Sequence, residues 1–531
     1  MIASIGSRFV LGVAVLLVGI SACADFDGAV DDWRKRHSDM GNGDGVPSAP
    51  GLYVDPVKGS DAPASPGSPE APLRTLGEAL QRLRSGQVRG KAAIYLASGS
   101  FDEAGLTLDV PVSLYGGYGG VNDWVTRPGQ RSRLAGGTVG LTVRDLSDAG
   151  IVLEHVSIHS ANGVEPGAPS IALRVLRSSG VELRDVVLEA GLGALGADGR
   201  SGTPGQAGVG GGNGGEASDD NGAGGAGPAG MTTCSGSDRS GGVGGAGISD
   251  KNSGSIAGRP GKPNTRGGNG GSGGVVDCES DPEFCDCHGG SGGNGFPGVL
   301  GAKGPSGSGG SGLGVLDLTG LTWRPNQQGG AGDAGLPGEG GGGGGGGGIC
   351  SEEIVFLPAP FASGGGGGGG GGGCGGTGGQ GGGGGGASIA LLLIDSRVTV
   401  GEGTQLRALG GGPGGSGGAG GEGGLGGSGG AGGMGDSGYF SMGQELPFHI
   451  AGGDGGKGGQ GGDGGRGGAG GGGGGGPSVG VWCGPNAGFA SFTALSEQGL
   501  GSGGAGGTSP GGNAGAAGRK LLMTDSCPVS P

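Results

Sequence analysis

Glycine recurs at every third residue over long stretches of this chain, and that period limits what the backbone can do. Gly196, Gly199, Gly202, Gly205, Gly208, Gly211 and Gly214 hold it strictly. From Gly411 to Gly435 two columns run together, Gly411, Gly414, Gly417 and Gly420 beside Gly412, Gly415, Gly418 and Gly421. Gly452–Gly468 repeats the arrangement. The third position takes Pro413, Ser416, Ala419, Glu422 and Leu425, then Asp454, Lys457, Gln460, Asp463 and Arg466. A polyproline-II helix has three residues per turn and rises about 3.1 Å per residue. A GGX triplet on it leaves two faces bare and puts every side chain on the third. Bare faces let backbones approach closely and exchange N–H···O=C bonds. Collagen is excluded, because here X is usually glycine rather than proline.

The tracts are paired. Gly411–Gly435 and Gly452–Gly476 flank DSGYFSMGQELPFHIA (436–451), and Gly329–Gly348 and Gly364–Gly386 flank ICSEEIVFLPAPFAS (349–363). Each pair reads as an arm going out, an apolar tip and an arm returning. Such a bundle resembles the packing of glycine-helix antifreeze proteins. The tracts also resemble PGRS-type glycine repeats, but the PE module of those proteins is missing, so that likeness is compositional. A disordered tether is the competing reading. Glycine loses more backbone entropy on ordering than any other residue, and 161 glycines with 29 prolines in 531 residues lean the same way.

Between tracts lie short aliphatic units. Ser170–Ala190, Gly314–Trp323, Ser388–Ala408 and Ser478–Ala494 each read as a strand pair, and each runs into glycine at its end. One such unit cannot bury its own apolar face, whereas stacked copies can.

Upstream, Gly51–Val57 reads as a strand. Thr75 is placed to cap a helix, with Glu78 three residues on, Leu76, Ala79, Leu80 and Leu83 sharing one face, and Gly86 as the stop. Short alternating strands follow to residue 190. The motifs YVDPVKGSD (53–61), SPEAPLRTLGEAL (68–80), IYLASGSFDE (94–103) and VSLYGGY (112–118) resemble the N-terminal cap and first rungs of pectin-lyase-like proteins. The resemblance implies an all-β fold, a right-handed parallel β-helix (solenoid), here carrying glycine-rich polyproline-II-like insertions. A β-sandwich suits the chain less well, since dozens of residues separate the later strands.

The N-terminus reads as an export signal, with Arg8 before the apolar run Val10–Ile20. Ile20-Ser21-Ala22-Cys23 resembles a bacterial lipobox, which implies cleavage before Cys23 and lipid on its thiol. The expected organisation is a signal peptide (1–22), a flexible tether (23–50), the cap and first rungs (51–190), and further rungs interleaved with glycine insertions and a tail (191–531). The expected partners are a lipid bilayer and a polysaccharide or other cell-surface ligand. A net charge of −15 gives no basic footprint for nucleic acid.

Eight cysteines remain after Cys23, an even number suited to an oxidising compartment. Cys483 is expected to bond Cys527, and Cys350 to bond Cys374. Cys234 is expected to take Cys285 or Cys287 and Cys278 the other, since a ring closed between Cys285 and Cys287 would be strained. Zinc on Cys278, Cys285, Cys287 and His288 with Cys234 is the weaker alternative.

Catalytic candidates are Asp145, Asp148, Glu154, His155, His159, Glu182, Arg184, Asp185 and Glu189. None matches the Asp-Asp plus Gly-His-Gly constellation that the resemblance would bring. The run GGDGGKGGQGGDGG lacks the aliphatic position of a calcium nonapeptide. The expected function is non-catalytic: an exported lipoprotein, structural, adhesive or matrix-like at the cell surface, without a cofactor. A carbohydrate-active β-helix enzyme, and ice or polysaccharide binding by a glycine bundle, are the alternatives.

Overall fold

The structure is a computed structural model. It describes residues 46–147, 150–218, 222–250, 253–268, 276–277, 285–350, 361–441, 447–491 and 495–527. The stretch expected to be a signal peptide, Cys23 and most of the expected tether lie outside these residues. The chain is all-β, with about 3% helix. The helix Leu76–Arg84 is capped by the Thr75 side chain, which accepts from the Glu78 N–H, and Gly86 follows it with a φ of 71°. Among the described residues no helix is long and apolar enough to cross a membrane.

Three parallel sheets form the trunk. Seven-stranded sheet I holds Gly51–Val54, Ala93–Ala97, Ser113–Tyr118, Ile151–Glu154, Val181–Arg184, Arg397–Val400 and Gly488–Ser491, in that spatial order. Five-stranded sheet II holds Gly99–Asp102, Ser132–Ala135, Val156–His159, Val187–Leu192 and Gln405–Gly410. Six-stranded sheet III holds Thr107–Leu108, Val139–Arg144, Ser170–Leu176, Ser388–Ile394, Ser478–Cys483 and Lys520–Met523. From Ala93 onward the chain visits I, II and III in the same rotation, circuit after circuit.

Strand alternation sends one residue in two to the interior. Leu52, Ile94, Leu114, Leu153, Leu183 and Val400 are register partners down sheet I and are fully buried. Leu134, Ile158, Leu188 and Leu406 do the same in sheet II, and Leu141, Leu173, Leu391 and Val481 in sheet III. Each such side chain contributes on the order of 1.5–3 kcal/mol by leaving water. No single circuit could bury its own share.

The corners are tight. Asp145, Arg177, Asp395 and Asn486 turn from sheet III to sheet I with positive φ, and His155 and Asp185 turn from I to II in the same way. Asp, Asn and His tolerate that conformation better than other non-glycine residues.

The third corner, from sheet II to sheet III, carries the glycine. Long excursions run from Leu192 to Ser388, from Gly410 to Ser478 and from Leu500 to Lys520. The returning strands begin with Ser388 and Ser478, in register with Ser170, and all three serines are fully buried. The Ser388 Oγ–H donates to the Gly191 carbonyl at 2.7 Å and closes the corner from inside.

Within the excursions the hydrogen bonds have a period of three. Gly196, Gly199, Gly202, Gly205, Gly208, Gly211 and Gly214 donate to the carbonyls of Pro413, Ser416, Ala419, Glu422, Leu425, Ser428 and Ala431 at 2.7–2.8 Å. That pair of tracts is parallel. Tracts 411–435 and 452–476 are antiparallel, Gly455 donating to Gly433 and Gly473 to Gly415, so the out-and-back arm is present. Tracts 329–347 and 364–386 are antiparallel likewise, Gly332 donating to Gly379. Tract 364–386 lies in the middle. It bonds to 194–215, 227–230, 239–245, 329–347, 412–433 and 453–474.

Two expectations need correction. Gly314–Trp323 is not a trunk unit: Val315–Asp317 and Thr322–Arg324 close on each other as an antiparallel pair. Three-residue strands joined by a tight turn satisfy each other, and Trp323 is buried against Trp482 on the outside of sheet III. Cys483–Cys527 is as expected, but the pairings of Cys350, Cys374 and Cys234 differ. Cys374 bonds Cys234 and Cys350 bonds Cys287, while Cys483 bonds Cys527. Cys374 sits about ten residues down the return arm, roughly 30 Å from the tip at polyproline-II rise. It therefore meets the hairpin Thr233–Cys234/Ser237–Asp238 and not Cys350. Cys287 faces inward with Ile450 and meets Cys350 at the tip. Cys278 lies outside the described residues, and Cys285 opens the strand Cys285–His288.

Candidate functional site

The outward faces of sheets I and II gather most of the chemistry-bearing residues. On sheet I, Tyr53, Tyr95, Tyr115, Glu154 and Arg184 form one outward column by register. The tyrosine rings follow one another at 5.2 and 5.7 Å, and Trp124 packs edge-on to Tyr53 at 4.7 Å. Arg184 grips Glu182 with both prongs, Nε to Oε1 at 2.7 Å and Nη2 to Oε2 at 2.9 Å. Among the described residues Glu154 has no such partner. Burial raises its pKa against the pull of His155 and Arg184, and the nearby Glu182 adds to the rise. Burial likewise pushes the Tyr115 and Tyr118 phenols up. At the corner His155 Nε2 lies 3.6 Å from Asp185 Oδ2, and Arg131 holds the same Asp185 carboxylate.

Sheet II carries a hydrogen-bonded relay. Ser157 Oγ lies 2.6 Å from His159 Nε2, and His159 Nδ1 lies 3.2 Å from Glu189 Oε1. Arg407 Nη1 reaches the other Glu189 oxygen at 3.4 Å. Alternation puts Ser157 and His159 on one face, and register puts Glu189 beside His159 in the next circuit. Burial lowers the His159 pKa, with Glu189 opposing, so the imidazole is held towards its neutral form. A cavity of about 590 Å³ adjoins the relay, lined by Glu189, Gln405, Arg407, Leu409, Leu495 and Gln498 among others.

Order and spacing match a nucleophile, a base and an orienting carboxylate. What acyl transfer also needs is a pair of donors aimed at a developing oxyanion. Here the strand amides around Ser157 serve the sheet ladder to Arg133 and Val187. The relay can move a proton and can bind a polar ligand through Glu189, Gln405 and Arg407.

The structure thus gathers Glu154, Glu182 and Arg184 on sheet I, His155 and Asp185 at the corner between sheets I and II, and His159 with Glu189 on sheet II. Asp145 stands apart at another corner, paired with Arg177 at 2.7 Å. Asp148 and Cys23 lie outside the described residues. Ser157, Arg131 and Arg407 are additions that sequence reasoning missed. The signal was present for Ser157: VSIH (156–159) aligns with VVLE (186–189), which sets His159 against Glu189.

No protein-family model matches the chain, and no curated protein matches it. Among solved structures it is similar to a GH136 lacto-N-biosidase from Eubacterium ramulus, at 12% identity over 32% of this chain, with a TM-score of 0.20. The match spans about a third of that structure's length, 32%, and a likeness at this level carries no argument about activity.

Proposed function

We propose that this chain is an exported lipoprotein with a mechanical and adhesive role at the cell surface, and not a catalyst. The trunk is read as a right-handed parallel β-helix, and the excursions as a bundle of polyproline-II-like glycine helices. The constant rotation through three parallel sheets supports the first reading, and the three-residue hydrogen-bond period supports the second. The bonds Cys234–Cys374, Cys287–Cys350 and Cys483–Cys527 suit an oxidising compartment outside the cytosol. Cys23 carries the lipid and residues 23–50 are the leash.

The bundle carries this reading. Its glycine amides are bonded sideways to neighbouring tracts, so arms of about 75 Å at polyproline-II rise brace one another without a hydrophobic core. A brace of that kind suits holding and spacing. The trunk's polar faces, with the cavity beside Glu189 and Arg407, suit contact with a polysaccharide or another surface ligand.

Fractionation and binding test it together. The wild type should partition with membranes and carry lipid at Cys23, and Cys23→Ser should appear in the exported soluble fraction. The purified chain should be retained on insoluble polysaccharide, release no soluble sugar, and resist fluorophosphonate labelling. A wild type without lipid sinks the anchoring. Sugar release lost in Glu154→Gln, or labelling lost in Ser157→Ala, replaces the adhesive reading with an enzymatic one. Thermal hysteresis replaces it with ice binding.

A further inference from the structure

Two strands far apart in sequence lie side by side at the end of the bundle. Cys285–His288 pairs in parallel with Pro447–Ala451, and the register sets Asp286 opposite His449 and Cys287 opposite Ile450. Alternation divides the first strand cleanly. Cys287 points inward, fully buried, into a small core with Ile450, Cys350 and Phe361. Asp286 and His288 therefore share the opposite face, where His449 joins them. Asp286 Oδ1 lies 3.6 Å from His449 Nδ1, and the His288 and His449 rings stand 5.0 Å apart, edge to face. Ligand-capable atoms of all three residues lie within 4.8 Å of one another. Tyr439, opposite His449 on the neighbouring strand Ser437–Ser441, packs on the His449 ring at 4.5 Å.

We propose that Asp286, His288 and His449 form a binding site for a divalent first-row transition metal, with zinc the natural occupant. Two imidazole nitrogens and one carboxylate oxygen are the donor set that suits borderline metals. Calcium and magnesium prefer oxygen alone. Tetrahedral bonds of about 2.0–2.1 Å bring donor atoms to about 3.4 Å from one another. Asp286 and His288 are exposed and can swing that far, while the less exposed His449 is steadied by Tyr439. The backbone is already in place, because the ladder fixes the strands and Cys287–Cys350 anchors one of them from behind. Three protein ligands leave a position for water or for a donor from a partner. The metal would clamp the strand at 285–288 to the tip of the 411–476 arm, joining two separate excursions at their far end.

The intact, disulfide-bonded chain, stripped with chelator and desalted, is titrated with Zn²⁺ against a chromophoric competitor. One equivalent should bind. His288→Ala and His449→Ala should each weaken binding at least about tenfold. The near-isosteric Asp286→Asn, on an exposed side chain, should also weaken it while the far-ultraviolet spectrum stays unchanged. His159→Ala, on the trunk, should leave the affinity as it was. Co²⁺ in place of Zn²⁺ should give visible ligand-field bands without thiolate charge transfer. Absence of stoichiometric binding, unchanged affinity in the His288→Ala/His449→Ala chain, or a thiolate band would each overturn the site.

Discussion

Ser178 donates its backbone N–H to Ser396 Oγ at 3.1 Å, across 218 residues of chain. Val186 and Thr404 keep the same offset of 218 one strand further on. So do Asp198 with Ser416 and Asn213 with Ala431, deep in the glycine tracts. The two circuits stand 218 residues apart in sheets III and II and 217 apart in sheet I, where Val181–Leu183 pair with Val398–Val400; the offset is 218 again at Thr404, and it enters the glycine bundle at that value. The two halves are one stack, built first from strands of period two and then from tracts of period three.

The central tract should be intolerant of a single methyl group. A Cβ on Gly369 would be driven into the Gly341 carbonyl, whereas one on Gly225 meets nothing within 4 Å. Gly369→Ala is expected to cost about 3 kcal/mol or more in denaturant unfolding. Gly225→Ala should stay within about 0.5 kcal/mol of wild type. Equal effects from the two would mean that the tracts do not pack in this way.

Amide exchange should show the period directly. Gly455, Gly456, Gly458, Gly459, Gly461 and Gly462 donate to the carbonyls of Gly433, Gly345, Gly430, Gly342, Gly427 and Glu339. They should exchange slowly, while the third-position amides of Gln460 and Asp463 exchange fast. Uniform random-coil rates over 452–476 would refute the bundle.

Cys483 and Cys527 close a loop with a sequence separation of 44 and hold the last strand, Lys520–Met523, against Ser478–Cys483. Chain entropy assigns such a crosslink about 4 kcal/mol. Replacing both cysteines with serine should therefore release the tail first. The expected sign is fast exchange over 520–527 while Ser388–Ile394 stays protected. Wild-type protection of the tail would count against that role.

Glu154 gives a pH signature. Burial raises its pKa in the folded chain, so the folded state holds the proton more tightly than the unfolded state. Stability is then lost as pH rises from the ordinary carboxylate range through the folded pKa. Glu154→Gln removes the ionisation and should stabilise the chain at pH 7, with the gain vanishing near pH 4. His159 adds a slope elsewhere. Burial lowers its pKa, so its share of stability is present at neutral pH and falls away below the ordinary imidazole range. Denaturant midpoints between pH 4 and 8 measure both. A Glu154→Gln benefit that persists at pH 4 would show that ionisation is not its source.

Much of the architecture could be read from residue order, because it rests on local periods. Ser388–Ile394 is a short aliphatic run that becomes a strand buried along its whole length, Thr75 caps its helix, and the equal tracts around 436–451 do pair back on each other. What escaped depended on which segments become neighbours. Gly314–Trp323 has the composition of a trunk unit, yet its short strands find each other before they find a sheet. Cys234 and Cys374 are 140 residues apart, and only the order of tracts in the bundle brings them together. The relay of Ser157, His159 and Glu189 needs the register between circuits, and the site of Asp286, His288 and His449 needs two excursions to end at the same height. None of these follows from spacing along one segment.

The triplet hydrogen bonding also sets a rule for how such a chain can change length. Adding a single residue to one arm would turn every later side chain by a third of a revolution, from the open face into a neighbouring backbone. Adding three residues to one arm keeps the faces right but leaves the returning arm short of partners. Only matched triplets, gained or lost on both arms of an excursion, keep each amide opposite a carbonyl. Length variants of this protein should therefore differ in the bundle by multiples of six residues, while the trunk circuits and their corner serines stay fixed.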